Sequence, residues 1–245
     1  WSPDGSRLAY SIGGSDAVDE EAGCELDGSF CGYRIWSAPA DGSEMAKVIG
    51  DPTLDACDAV WTPDGASIIF SGSPAGSGDD RGVYRMDADG TNAQRIGELT
   101  GTSCWWIPHS ISPDGTTLAV STEGEGSDIH LVDLATGESV LITGEQADEF
   151  GPLWSPDGSL LAFSRYLEDG FDVVEEAMLY EVASGESLSI GKTGEVTGWS
   201  PDGSFIIGRN LDGIMTLVDV SDPTAPVSTE VEGVEGDRPT WQPRP

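Results

Sequence analysis

Carboxylates are the side chains of this sequence best placed to do chemistry. Asp55 and Asp58 stand a few residues before Trp61, Asp148 and Glu149 before Trp154, and Asp237 before Trp241. Like charges held that close repel unless they are solvated, screened or bridged by a cation. A Ca²⁺ ion takes about six to eight oxygens, so these five residues are the candidate metal ligands and Ca²⁺ the expected ion. The chain also carries 44 acidic against 11 basic side chains, a net charge of −33. At that excess carboxylates crowd every surface, and plain solubility explains much of the clustering without an ion.

Other chemistries find less material. His109 and His130 are the only histidines, too few for a His-rich metal site. The G-x-S-x-G elbow of an α/β-hydrolase is absent from this sequence. Asp87-Ala88-Asp89-Gly90 with Glu98 resembles a calcium-binding loop, but its glycine falls at the fourth position instead of the sixth, and a hairpin turn explains it better. Four cysteines, Cys24, Cys31, Cys57 and Cys104, show neither a C-x-x-C pair nor zinc spacing. Two disulfides are the expected reading, although four free buried thiols would also fit. Disulfides imply an oxidising compartment, hence a periplasmic or secreted protein.

The elements that must position these groups announce themselves by repetition. Trp154-Ser155-Pro156-Asp157-Gly158 is followed by the short apolar run Leu160–Ser164. Copies start at Trp1, Trp61, Ile111 and Trp199, and a worn one at Trp241 closes the chain. Successive starts lie 42 to 60 residues apart, a period that means a propeller or solenoid. Each unit reads as a corner between strands. Proline fixes φ at the first central position, aspartate follows, and glycine takes the positive φ that ends the bend. After each corner come a strand, a loop, a second strand, a tight turn such as Asp41-Gly42 or Thr136-Gly137, and a third strand. No window holds a convincing helical period, although Glu175–Val182 has room for a turn or two. Four strands per period is the β-propeller plan.

The same repeats resemble the TolB-type, WD-like propeller family. The resemblance rests on the Trp-Ser-Pro-Asp-Gly corners and on second strands such as Val83-Tyr84-Arg85-Met86-Asp87 and Ile129-His130-Leu131-Val132-Asp133, and it covers the whole chain. It implies an all-β fold of four-stranded antiparallel blades in one domain, 1–245, with five blades visible and a closing strand at 237–241. Such propellers usually have six blades, so a parent with a further N-terminal blade is the alternative, and a chain that opens in mid-motif fits a processed or trimmed start. In this plan Cys24 pairs with Cys31 across one long loop, and Cys57 with Cys104, since both enter neighbouring innermost strands. The corner tryptophans pack between blades, while the long acidic loops, including Glu168–Glu176, share one face with the five candidate ligands.

Function in such a fold lives on variable loops carried by a fixed scaffold. An acidic face repels nucleic acid and anionic lipid, and no apolar run approaches the ~20 residues of a membrane helix. The expected partner is a protein or basic peptide, bound through Asp148, Glu149 and the aromatic anchors Trp105, Trp106 and Tyr166 by a monomeric, non-catalytic scaffold. Because similar propellers occur in polysaccharide lyases and as the gating domains of prolyl-oligopeptidase-like peptidases, an enzymatic propeller is the alternative.

Overall fold

The computed structural model describes residues 1–13, 32–75, 80–98, 110–122, 126–144, 147–169, 172–209 and 213–235. Among them every regular element is a strand, nineteen in all. By contact the chain divides into two compact units, Trp1–Ile107 with Val132–Ser139, and Pro108–Leu131 with Val140–Pro245.

The first unit holds a three-stranded sheet, β1 (Arg7–Ile12), β2 (Arg34–Pro39) and β3 (Lys47–Ile49), and a four-stranded one, β4 (Leu54–Trp61), β5 (Ser67–Pro74), β6 (Gly82–Asp87) and β7 (Gln94–Gly97). In chain order there follows the sheet of β8 (Ser110–Ile111), β9 (Thr117–Thr122), β10 (Asp128–Asp133) and β11 (Ser139–Leu141). The second unit holds β12 (Asp148–Trp154), β13 (Leu160–Asp169), β14 (Asp172–Glu181) and β15 (Glu186–Gly191), then β16 (Glu195–Trp199), β17 (Phe205–Arg209), β18 (Ile214–Asp219) and β19 (Val227–Glu235). Each sheet is a meander of chain neighbours, and the expected four strands per repeat are present in all but the first. The expected closing strand at 237–241 lies outside the described residues.

One hydrogen-bond network builds all five corners. The hydroxyl of Ser2, Thr62, Ser112, Ser155 or Ser200 donates to the carboxylate two residues on, over 2.6–2.7 Å. That same hydroxyl accepts from the backbone N–H five residues on, in Arg7, Ser67, Thr117, Leu160 and Phe205. The aspartate in turn accepts the N–H two residues beyond itself. Glycine closes the bend at φ between +68° and +76°, a conformation that costs glycine little and other residues more. A side chain at Gly158 would also crowd Pro113 of the preceding corner, whose Cδ lies 3.3 Å from the Cβ position.

After every corner but the first, the strand that follows is the buried one. Ile68, Ile69 and Phe70, then Leu118, Ala119 and Val120, then Leu161, Ala162 and Phe163 are all at most 1% exposed. These continuous apolar runs are covered on both faces, and each large side chain contributes about 1.5–3 kcal/mol by leaving water. In the first unit the core gathers Ile35, Trp61, Ile68, Phe70, Tyr84 and Met86. In the second, one cluster centres on Leu161, Phe163 and Met178 and another on Leu179, Val196, Ile206 and Val218. Of the corner tryptophans Trp61 is buried, whereas Trp154 and Trp199 are half-buried against these clusters. The Trp199 indole N–H donates to Leu153 O at 2.9 Å, tying one sheet to the next.

The fourth repeat departs from expectation. Residues 168–176 are not an acidic loop, and Glu175–Val182 holds no helical turn. β13 and β14 instead pair from Leu160↔Glu181 to Asp169↔Asp172. Tyr166, Leu167, Val173 and Val174 favour pleated backbone, and that preference carries the hairpin through the charged positions.

Candidate functional site

Most of the expected ligands sit near the starts of the lead strands β4 and β12, at the opposite end from the corners. The lead strands β4, β12 and β16 bulge on the way to their tryptophans, between Cys57 and Val60, Phe150 and Leu153, and Val196 and Gly198. In β12 the bulge uses Gly151 at φ +66°; at the matching place in β4 stands Asp58 at φ +53°. A non-glycine residue in that region is uncommon and stores about 1–3 kcal/mol of strain. Asp58 is also buried enough that its Oδ2 meets no hydrogen-bond partner among the described residues. Burial pushes its carboxyl up to about 7, with the nearby Arg81 charge pulling the other way.

Asp55 is differently placed. It accepts the backbone N–H of Tyr33 and pairs with the Arg81 guanidinium at 2.7 Å. Arg81 also lies 3.5 Å from the Cys57 sulfur. Cys57 is 1% exposed and disulfide-bonded, while Cys24, Cys31 and Cys104 lie outside the described residues.

In the second unit Glu149 is fully buried and pairs with Arg165 at 3.0 Å across the β12–β13 ladder. Burial raises its carboxyl above the usual range, and the Arg165 charge opposes the rise. Asp148 beside it is exposed and accepts the Ser127 N–H at 3.0 Å. Tyr166, expected as a partner anchor, is half-buried. Its ring meets Phe150 edge-on at 4.5 Å, and its hydroxyl bonds Glu175, its cross-strand neighbour. Burial first, then Glu175, holds the Tyr166 phenol above its ordinary value. Glu175 is itself raised, chiefly by burial, with Glu195 adding and Arg209 opposing. Glu195 and Arg209 face each other across β16 and β17.

The arrangement is thus a set of buried and half-buried carboxylates, of which Asp55, Glu149 and Glu175 are each answered by a guanidinium or a phenol, while Asp58 has the Arg81 charge nearby. Among the described residues no three His, Cys, Asp or Glu side chains come together to hold a metal ion. Asp55 and Asp58 share a strand, as do Asp148 and Glu149, but Arg81 and Arg165 already supply positive charge there. Asp237, Trp105, Trp106 and His109 lie outside the described residues. His130 is half-buried with its Nδ1 unpartnered among those residues, and burial lowers its pKa. The Asp87–Gly90 segment is a hairpin turn, closed by Gly90 N–H on Asp87 O at 2.8 Å.

Sequence reasoning found the carboxylates and missed what answers them. Arg165, midway along β13 in Phe163-Ser164-Arg165, and Arg209, at the end of β17 in Ile207-Gly208-Arg209, lie opposite Glu149 and Glu195. That recurrence of arginine was a readable signal. Nothing in the sequence marked Asp58 as the residue in the glycine position of a bulge.

No family model matches the chain. The uncharacterized peptidase YuxL of Bacillus subtilis is 29% identical over 183 residues, 74% of this chain and 23% of that protein. The uncharacterized protein Atu1656 of Agrobacterium fabrum is 30% identical over 179 residues, 68% of this chain and 53% of that protein. The chain therefore spans about a quarter and about half of these relatives' lengths. Among solved structures, TolB from Acinetobacter baumannii superposes with a TM-score of 0.69 at 18% identity, over 100% of this chain and 56% of that one. A protein named for TolB in Agrobacterium tumefaciens gives 0.62 at 16% identity, over 98% and 82%. An oligogalacturonate lyase in complex with manganese gives 0.51 at 14%, over 97% and 76%. At these identities the likeness is one of fold, and the chain has the TolB-type β-propeller fold.

Proposed function

We propose that this TolB-type propeller is a non-catalytic binding module, working outside the cytoplasm, that takes a protein or basic peptide on the acidic end of its strands. One observation carries the reading. The guanidiniums at that end turn inward, Arg81 to Asp55 and Arg165 to Glu149, in a chain whose net charge is −33. With Arg165 engaged on the buried Glu149, the start of β12 keeps an exposed acid in Asp148. Such a surface steers a basic partner quickly and loses it as salt shortens the reach of charge. The disulfide at Cys57 supports an oxidising compartment. Net charge of this size favours a monomer.

The test is binding of fluorescent lysine-rich peptides at low and physiological salt, with wild-type protein and with Asp148→Lys combined with Glu176→Lys. Salt-sensitive binding that the double variant loses supports the reading. Turnover of a polysaccharide or peptide panel by the wild type, with no peptide retained, overturns it. A second reading, the propeller of a larger enzyme, is favoured by the match to part of a protein named as a peptidase. A G-x-S-x-G elbow in the flanking coding sequence would decide for it.

A further inference from the structure

We infer that the cleft between the first two corners binds a small zwitterion with an apolar body, a free apolar amino acid being the simplest. This goes beyond the basic-partner reading, because the cleft lies at the corner end of the strands and that partner at the other. Its volume is about 280 Å³, and Ser2, Pro3, Asp4, Arg7, Trp61 and Asp64 are among the residues that line it. All of them belong to the first unit.

The second corner departs from the other four, and the departure leaves a carboxylate oxygen unused on a residue of this cleft. In four corners a second hydroxyl reaches the aspartate, from Ser6, Thr116, Ser159 or Ser204, over 2.7–2.8 Å. The second corner has the exposed Ala66 at that position. Asp64 accepts the Thr62 hydroxyl and the Ala66 N–H, both on Oδ1, and among the described residues no donor reaches its Oδ2. Arg85 is near enough for its charge to act on Asp64, but its Nε is donated to Ser67. Arg7 is likewise only partly engaged. Its Nε and Nη2 donate to Ser37 at 3.2 and 3.0 Å, which leaves Nη1 without an acceptor among those residues. Trp61 is 8% exposed, and its indole N–H also meets no acceptor among them, whereas that of Trp199 is bonded to Leu153 O.

Charge and size choose the ligand. Asp4 and Asp64 stay ionised, because hydrogen bonds from Ser2 and Ser6 hold the first down to about 2, and those from Thr62 and Ala66 hold the second below its usual value. A simple cation would meet Arg7 as well, and a simple anion would meet Asp4 and Asp64. A molecule carrying both charges sets each against its opposite, in charge-assisted hydrogen bonds. Trp61, Pro3 and Ala88 add apolar surface, which suits a hydrocarbon side chain. At roughly 30 Å³ per water molecule, the volume holds about nine waters, enough room for leucine.

The experiment is an NMR titration of isotope-labelled protein with L-leucine, followed at the backbone amides of Gly65 and Ala88 and at the Trp61 indole N–H. N-acetylleucine, which lacks the ammonium, and leucinamide, which lacks the carboxylate, are titrated beside it. The variant is Ala66→Ser. It gives the second corner a residue that three of the other corners carry, and it occupies Asp64 without removing a charge. Leucine is expected to shift the three signals saturably. Each capped form, and leucine against the variant, is expected to bind at least about fivefold more weakly, the worth of one hydrogen bond. A capped form that binds as well as leucine overturns the zwitterion. Unchanged binding by the variant overturns the part given to Asp64, and no shift at tens of millimolar leucine overturns the site. The basic-partner reading stands or falls separately, by its own test at the other end of the strands.

Discussion

Replacing Asp58 by asparagine isolates the cost of one ionised group. Asparagine keeps the shape of the side chain and tolerates the left-handed backbone that Asp58 adopts at φ +53°, while removing its charge. The unfolded carboxyl loses its proton near 3.8, and the folded one holds it to about 7. Between those values the folded state binds more protons than the unfolded, so wild-type stability falls as pH rises through the window and stays reduced above it. At about 1.36 kcal/mol per pH unit, a shift of roughly three units sets an upper bound of about 4 kcal/mol. Relaxation and water penetration bring the expected effect below that bound, to about 2 kcal/mol. For a chain of this size each kcal/mol moves Tm by about 2–4 °C. The assay is thermal denaturation of wild type and Asp58→Asn from pH 4 to pH 9. The difference in Tm should be near zero at pH 4, grow between pH 4 and 7, and level off above. Every other carboxylate is common to both proteins and cancels. A difference that is flat across the range would show that Asp58 ionises as freely in the fold as out of it, and would refute the reasoning.

Four further outcomes follow from the same structure. Arg165→Ala leaves the fully buried Glu149 without its cation and should cost about 3–5 kcal/mol in chemical denaturation at pH 7; because the Glu149 carboxyl is already raised by burial, the cost should shrink in acid as that group is protonated. Gly158→Ala meets both a φ of +75° and Pro113, and should cost about 1–3 kcal/mol by the same assay, with loss of thermal stability at every pH. Peptide mapping without reductant should recover Cys57 joined to Cys104, and Cys24 joined to Cys31; Cys57 crossed to any other cysteine refutes the pairing. Since Arg81 and Arg165 stand where a bridging cation would act, Ca²⁺ added to chelator-treated protein should leave Tm unchanged, and a saturable rise would restore the calcium expectation.

The corners were legible because every part of them is local. Ser155, Asp157, Gly158 and Leu160 meet within six residues, so their order in the chain nearly dictates their geometry. The apolar runs that follow, such as Leu161–Phe163, were legible for the same reason. The candidate site was not local. Glu149 finds Arg165 only through a register that slips at a bulge, and Asp55 reaches Arg81 across 26 residues. The hairpin of β13 and β14 was misread because Glu168, Asp169, Glu175 and Glu176 read as loop by charge. Pairing between facing strands outweighs that preference, as it often does when β-propensity and context disagree.

The corner network also bears on how the chain finds its fold. Each corner joins groups no more than five residues apart, and each meander links strands that follow one another. Closing such short loops costs little chain entropy, and a hairpin forms in about 1–10 μs. All-β chains fold slowly when their pairings are remote in sequence, but among the described residues most strands pair with their chain neighbours, and more remote contacts come where one sheet docks on another, as where Trp199 reaches Leu153. The repeats are therefore independent starting points for folding, and refolding should be limited by the assembly of sheets already made.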